Sequence, residues 1–385
     1  MTLPPSISLP DLSHERFSVE YILSGGAEEA RAAARKMTVE QTVEFPQEAL
    51  PAGDIADELV GRIEAFEPQE GGRQRAVISY AVETAGRDLP QLLNVLLGLS
   101  SLLPGIRVNR LLAIPDSLLN QYQGPRFGPA GLREIVGVYD RPLICTAIKP
   151  MGLSSEQLAD LAYRCARGGI DIVKDDHGIG NVVWSPFEER VARVAEAVER
   201  ANAETGRRAI YAANVSGPQD QIVERALIAK QAGAGAVMAA PASDGLDAIR
   251  VLASDEEIGL PVLSHPTLSG VFLAAGDAGS GFSHALYYGQ LQRLAGADSV
   301  IFVNTGGRFP VSEGEIAELL DACRAPMGDL PPMMPMPGGG MTLPRVPALM
   351  EFFGRESIFL MGGGLHTASP DLERNVEAFL RAVGG

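Results

Sequence analysis

The sequence predicts an α/β protein in two parts: an N-terminal α+β domain of ferredoxin-like type over residues 1–135, and a C-terminal (β/α)₈ barrel over residues 136–385. Three observations carry this expectation. From about residue 142, short β-rich runs alternate with amphipathic stretches of helical length. The β-rich runs number eight, as a (β/α)₈ barrel requires. Before residue 140 the alternation breaks, and strand-like and helix-like stretches mix in the manner of an antiparallel sheet with helices. An open doubly wound sheet is the competing architecture; the count of eight favours the barrel.

In the N-terminal part, FSVEYIL, ARKMTVEQTVEF and RQRAVISYAV have the β-branched and aromatic content of strands. AEEARAAARK, DIADELVGRIEAF and DLPQLLNVLLGL have helical spacing. The glycine- and proline-rich YQGPRFGPAG (122–131) reads as a linker. The barrel strands are expected at PLICTAIK (142–149), IDIVKDD (170–176), AIYAANV (209–215), AVMAAP (236–241), PVLSH (261–265), SVIFVN (299–304), PMMPM (332–336) and SIFLMG (357–362). Between them lie segments such as PFEERVARVAEAVERANAE, where Phe187, Val191, Val194, Ala195 and Val198 recur at three- and four-residue spacing with Glu and Arg opposite. Gly168-Gly169 and Gly233 are helix stop signals. The prolines of the seventh run are unfavourable in a strand.

The bulk numbers narrow the function. The chain has 385 residues, and 48 acidic against 32 basic side chains give a net charge of −16. Such acidity argues against a nucleic-acid partner and against an anionic membrane surface. Cys145, Cys165 and Cys323 lack metal-ligand spacing, and their number and context fit a reducing, cytoplasmic setting. The N-terminal residues have no signal-peptide pattern, and no run is long and apolar enough to span a bilayer. Lysine occurs only at positions 36, 149, 174 and 230. In so arginine-biased a chain, lysine persists chiefly where arginine cannot substitute, and two of the four fall at the ends of expected barrel strands.

Barrel chemistry belongs at the carboxyl ends of the strands. Strand one ends in Lys149-Pro150, strand two in Lys174-Asp175-Asp176-His177, strand three near Asn214 and strand five in Ser264-His265. Strand six runs into Asn304-Thr305-Gly306-Gly307-Arg308. Strands seven and eight run into Gly338-Gly339-Gly340 and Gly362-Gly363-Gly364-Leu365-His366. Glycine lets backbone N–H groups approach an anion, and the loops after strands seven and eight form the common barrel phosphate site; these two loops are expected to bind phosphate. Asp176 and His177 offer oxygen and nitrogen donors that would suit a hard cation such as Mg²⁺, or else form a surface turn or structural ion pair. Lys174 is awkward in a metal site, because an ammonium ion is no ligand.

GGIDIVKDDHG, preceded by CTAIKPMGLS, resembles the core of the ribulose-bisphosphate carboxylase large-subunit superfamily, and with GPRFG at 124–128 and the glycine loops the resemblance covers nearly the whole chain. The resemblance implies that Lys174 reacts with CO₂ to give a carbamate, an anionic ligand that joins Asp176 and His177 around Mg²⁺. It implies that Lys149 handles protons on the enolised substrate. It further implies that Glu40 and Asn94 complete the active site of the neighbouring subunit in an obligate homodimer or an assembly of dimers. On the residues alone, Glu40 would be a solvated strand residue.

The departures imply a RuBisCO-like, form IV protein that does not fix CO₂. His177 stands where the carboxylases carry glutamate, KPM replaces KPK, Pro266 follows His265 where arginine is expected, and Phe302 replaces a phosphate-binding histidine. One phosphate site is kept and the other lost, so the substrate is expected to be a monophosphorylated keto-sugar. Arg308, roughly where the carboxylases have lysine, suits a carboxylate. His265 is a candidate for binding a substrate hydroxyl; His284 reads as a helix-start residue, and His366 has two readings. The expected reaction is decarboxylation, or transcarboxylation with hydrolysis, of 3-oxo-isoapionate 4-phosphate. Isomerisation of 5-methylthioribulose 1-phosphate or a related enolase reaction is the alternative. A non-catalytic regulatory relative and a Schiff-base aldolase using Lys149 or Lys174 are the readings from other classes.

Overall fold

The structure is a computed structural model that describes residues 6–276, 279–307 and 309–385. Two compact units form: Met1–Tyr122 with Gly270–Leu291 and Pro326–Leu330, and Gln123–Ser269 with Gln292–Ala325 and Pro331–Gly385.

In the first unit, β1 (Arg16–Leu23), the helix Ala27–Glu40, β2 (Arg62–Pro68), β3 (Gln74–Ala81), the helix Leu89–Leu96 and β4 (Ile106–Leu111) follow one another. The β-α-β-β-α-β order and the antiparallel arrangement β4-β1-β3-β2 are those of the expected ferredoxin-like type. Two expectations for this unit fail. TVEQTVEF is not a strand: the helix that starts at Ala27 runs to Glu40 because Ala30, Ala34 and Met37 place one apolar stripe against the sheet. Its end is held by the buried Gln41, which donates from Nε2 to Leu96 O at 2.7 Å and accepts from Tyr80 OH at 3.0 Å. GRIEAF is not helical: after the short helical turn Ile55–Leu59 it forms β2, where pairing with β3 overrides local spacing.

The second unit is a closed, all-parallel barrel. Its strands are β5 (Leu143–Ile148), β6 (Ile172–Asp175), β7 (Ile210–Asn214), β8 (Ala236–Ala239), β9 (Val262–Ser264), β11 (Ser299–Val303), β12 (Met334–Gly338) and β13 (Ile358–Met361), and β13 pairs back onto β5. All eight expected strands are present. The intervening two-residue β10 (Gly281–Phe282) instead extends the first unit's sheet, parallel to β4. In the seventh barrel strand, Met334 N–H donates to Asp298 O on the β11 side, so alternation turns Pro335 and Pro337 toward β13. That ladder is thinned to the single pair Gly338↔Leu360, as missing N–H groups require.

The barrel is filled by Leu143, Cys145, Ile172, Ile210, Ala212, Ala236, Met238, Leu263, Ile301, Met334, Met336 and Ile358, and the helix Gly128–Val136, part of the expected linker, adds Leu132 and Val136. That helix sits at the amino ends of the strands. Phe127 and Gly128 N–H donate to Asp298 Oδ1 at 2.6 and 2.8 Å, and Val262 N–H donates to the other oxygen at 2.8 Å. Arg141 grips Asp171 through two bonds of 2.7 and 2.8 Å at the same end. The amino end is therefore closed by buried structural contacts, which leaves the carboxyl end for chemistry. No helix among the described residues is long and apolar enough to cross a membrane.

Candidate active site

Period-two alternation along β6 decides what each residue of the Lys174-Asp175-Asp176-His177 segment can reach. Ile172 faces the barrel interior, so Lys174 does too, and Asp175 faces the helix layer. Lys174 is 1% exposed, lies above Cys145 and donates from Nζ to Asp175 O at 2.8 Å. Burial pushes its pKa down, with Lys149 acting in the same direction against Cys145, Asp176 and Asp175. The neutral amine is therefore more accessible here than on an exposed lysine. Asp175 belongs to a separate, fully buried network: it accepts from Arg190 Nε at 3.2 Å, Tyr211 OH at 2.8 Å and Asn214 N–H at 2.9 Å. This is the structural ion pair weighed for the segment, and it takes one of the two aspartates.

Asp176 opens toward the mouth. Its two oxygens lie 3.2 Å from Lys149 Nζ and 3.0 Å from His177 Nδ1. Burial alone would raise the Asp176 pKa. The hydrogen bonds from His177 and Gly178 N–H, with Lys174 and Lys149, outweigh it and hold the carboxyl well below the usual carboxylate range. His177 stacks on His265, with ring centroids 4.5 Å apart. His265 Nδ1 accepts from Thr267 N–H at 3.1 Å, which leaves the proton of a neutral ring on Nε2, where it can be donated. Burial, with Lys174 and His177 acting in the same direction, holds the His265 pKa down at about 2, so this neutral form persists across the working range. Asn214 anchors the loop that carries His177 by donating to His177 O and Ile179 O at 3.2 and 3.3 Å.

The glycines of the expected phosphate loops do different work. A Cβ on Gly338 would lie 3.1 Å from Leu360, so this residue is packing. Gly339 (φ +89°) and Gly363 face open space, with nothing within 4 Å of a Cβ. The side-chain position at Gly340 (φ +64°) is taken by Arg345, whose Nη1 would lie 2.4 Å from a Cβ there. Gly362 faces Lys149 Nζ at 3.9 Å, and Gly364 closes on Met341 O at 2.6 Å, measured in the same way. Gly339 and Gly363 are thus the two positions of these loops where a side chain would meet open space. Arg308 lies outside the described residues. Phe302 does not face the mouth: it is buried against Phe353, with centroids 6.2 Å apart, so its identity says nothing about a lost phosphate site.

Glu40 ends its helix half-buried, not in a strand, and Asn94 is exposed on Leu89–Leu96; the bond from Gln41 to Leu96 O brings these two helix ends together within the first unit. His284 precedes the helical turn Ala285–Leu291 in the same unit. Two further residues of the barrel stand beside the glycine loops. His366 follows the second glycine loop, where burial and Lys149 lower its pKa against a bond to Ala147, and its Nε2 is buried without a partner. Arg345 reaches back to the first glycine loop. Spacing placed His366 at a strand end but gave it no role, and nothing local marks Arg345, whose bond to Thr305 O joins it to the neighbouring loop 40 residues away.

The donor set accommodates a metal incompletely as it stands. Among the described residues, no three His, Cys, Asp or Glu side chains converge. Asp176 and His177 are two donors, and Lys174, lying near Asp176, would supply the third only as an oxygen-bearing derivative. That is the derivative the family resemblance calls for, so the residues fit a cation once CO₂ has added to Lys174.

Comparisons with known proteins agree with this geometry. Residues 128–371 match the family model for the ribulose bisphosphate carboxylase large chain, catalytic domain. Ribulose bisphosphate carboxylase-like protein 1 of Rhodopseudomonas palustris is 38% identical over 96% of this chain and 98% of its own. The 5-methylthioribulose-1-phosphate isomerase of Rhodospirillum rubrum is 37% identical over 96% of this chain and 97% of its own. The crystal structure of a Rubisco-like protein from Rhodopseudomonas palustris superposes with a TM-score of 0.86 at 36% identity, covering 96% of this chain and 97% of that one. A closed parallel barrel, its lysine-bearing strand ends and full-length similarity together make this chain a member of the ribulose bisphosphate carboxylase large-chain family, in its RuBisCO-like (form IV) branch.

Proposed function

We propose that this chain performs metal-assisted enediolate chemistry on a monophosphorylated keto-sugar and does not fix CO₂. The observation that carries the reading is the buried Lys174 beside Asp176 and His177, with Lys149 Nζ 3.2 Å from Asp176 at the mouth. The neutral Lys174 amine would form an N–C bond to CO₂ and release one proton, giving a carbamate in place of an ammonium. Carbamylated Lys174, Asp176 and His177 would then hold Mg²⁺. When bound, such an ion supplies Lewis acidity that stabilises enediolate oxygens. Lys149 would deliver or remove the proton at carbon, and His265, a neutral Nε2 donor, would orient a substrate hydroxyl. Gly339 and Gly363 would receive the phosphate. Pro266 and the half-exposed Met151, where the carboxylases place cations, leave no second phosphate site at these positions. Glu40 and Asn94 would complete the site of the neighbouring subunit in a homodimer.

Two substrates fit this machinery, because loss of CO₂ from a β-keto acid and loss of an α-proton from a ketose give the same kind of enediolate. Decarboxylation or hydrolytic cleavage of 3-oxo-isoapionate 4-phosphate is the first. Isomerisation of 5-methylthioribulose 1-phosphate is the second, and the Rhodospirillum rubrum isomerase, similar over nearly its whole length, supports it. Purified protein supplied with Mg²⁺ and bicarbonate should turn over one of these and not carboxylate ribulose 1,5-bisphosphate. Lys174→Arg, which cannot form the carbamate, should abolish turnover while the melting profile stays that of a folded protein. Full activity in that variant, or measurable CO₂ fixation by the parent, would overturn the reading.

A further inference from the structure

We propose that Arg345 is the cation that binds the substrate's phosphate group, held ready between the loops after β11 and β12; the proposal rests on the anion-binding reading of those glycines. Arg345 Nη1 donates to Thr305 O at 3.1 Å and to Gly340 O at 2.9 Å, one carbonyl from each loop. The guanidinium lies flat on Gly306, where a Cβ would meet Nη1, Cζ and Nη2 at 3.1 to 3.3 Å. It also occupies the space a side chain at Gly340 would need. Both positions have positive φ, which favours glycine, and at 340 the arginine also fills the space a side chain would take.

The anchoring is one-sided. Nη1 is spent on two carbonyls, whereas among the described residues Nε and Nη2 make no hydrogen bond and no carboxylate pairs with the half-buried group. A guanidinium fixed by one nitrogen presents its remaining donors as a rigid fork, the geometry that suits a phosphate. The neighbouring residue of the same turn is Gly339, one of the two glycines that face open space, and its backbone also lies 3.7 to 3.9 Å from the Cβ position of Gly307. Backbone N–H groups at such turns supply dipoles but no net charge, and a desolvated phosphate dianion without a counter-charge is costly. The two lysines of the mouth are otherwise engaged, Lys149 with Asp176 and Lys174 in the interior. Among the described residues, Arg345 is the cation placed to supply that charge at the glycine end of the site.

The test is calorimetric titration of the full chain with inorganic phosphate, in the parent, Arg345→Met, Arg345→Lys and Gly363→Ala. Gly363 has room for a methyl group, which would intrude on the proposed anion site. Loss of a charge-assisted fork should weaken phosphate binding by about tenfold or more in Arg345→Met. Arg345→Lys, which keeps the charge but not the fork, should fall between it and the parent. Gly363→Ala should also weaken binding. If Gly363→Ala weakens binding and Arg345→Met does not, the assignment of Arg345 is wrong while the glycine anion site stands. If neither weakens binding, the anion-site reading itself fails. Faster hydrogen exchange at residues 304–307 in Arg345→Met with unchanged phosphate affinity would mark a loop tie only and overturn the proposal. Should Arg345→Met fail to fold, parent-like phosphate affinity in Arg345→Lys overturns it instead.

Discussion

Removing Arg190 should cost this protein more stability than removing any surface ion pair. Arg190 and Asp175 are both fully buried, 3.2 Å apart, and the arginine also donates to Ser185 O at 3.0 Å. Burial would lower the Arg190 pKa, but Asp175 and Tyr211 raise it, so the guanidinium stays charged. In Arg190→Met the Asp175 carboxylate keeps only Tyr211 OH and Asn214 N–H as donors, with its Oδ1 already unpartnered. Breaking one half of a buried pair costs about 3–5 kcal/mol, because the surviving charge is desolvated and uncompensated. For a domain the size of the barrel this is a fall in Tm of roughly 6–20 °C, at about 2–4 °C per kcal/mol. Asp175→Asn should lose a comparable amount, and the double variant Asp175→Asn/Arg190→Met should recover about 1–3 kcal/mol of the summed loss. Urea or thermal unfolding of the four proteins, followed by a barrel signal, measures the cycle. A single-variant cost below about 1 kcal/mol, or strict additivity, would refute the claim that a buried ion pair holds β6. The consequence reaches the site, since Asp175 sits between Lys174 and Asp176 and its anchoring sets where both project.

Two further outcomes follow from the same geometry. His265 is held neutral in the fold with a pKa of about 2, whereas an unfolded histidine titrates near 6.5; above that value neither state binds a proton there, and below it only the unfolded state does. Stability should therefore fall as pH drops below about 6.5, by up to about 1.4 kcal/mol per unit for this one group, and His265→Asn should flatten that slope in unfolding curves taken between pH 7 and 5; an unchanged slope refutes the burial argument. Gly340→Ala forces a Cβ 2.4 Å from Arg345 Nη1 at φ +64°, so it should destabilise the turn by about 1–2 kcal/mol, while Gly363→Ala, with open space around it, should be near neutral for stability; equal melting temperatures for the two would contradict the distinction drawn between these glycines.

The sequence by itself determined the barrel, its eight strands and which residues stand at their carboxyl ends, because these depend on local alternation, and a (β/α)₈ barrel places every strand's carboxyl end on one face whatever the details of packing. It also carried the family, since KPMG and KDDHG with their spacing are linear motifs. It misjudged TVEQTVEF and GRIEAF, where β propensity and helical spacing were overruled by a helix stripe of Ala30, Ala34 and Met37 and by pairing with β3. Only the tertiary structure decided which members of each cluster reach the mouth of the barrel. Strand alternation sends Asp175 to Arg190 and Asp176 to the mouth, a division that four consecutive polar letters do not reveal until the neighbouring helix is in place. The glycine loops divide in the same way: Gly339 and Gly363 are open, while Gly306 and Gly340 are covered by Arg345, which is distant along the chain from Thr305. Composition and spacing report what a residue can do. Which partner it meets depends on long-range closure of the barrel, because a hydrogen bond or an ion pair is decided within about 3–4 Å, far below what the linear order of residues resolves.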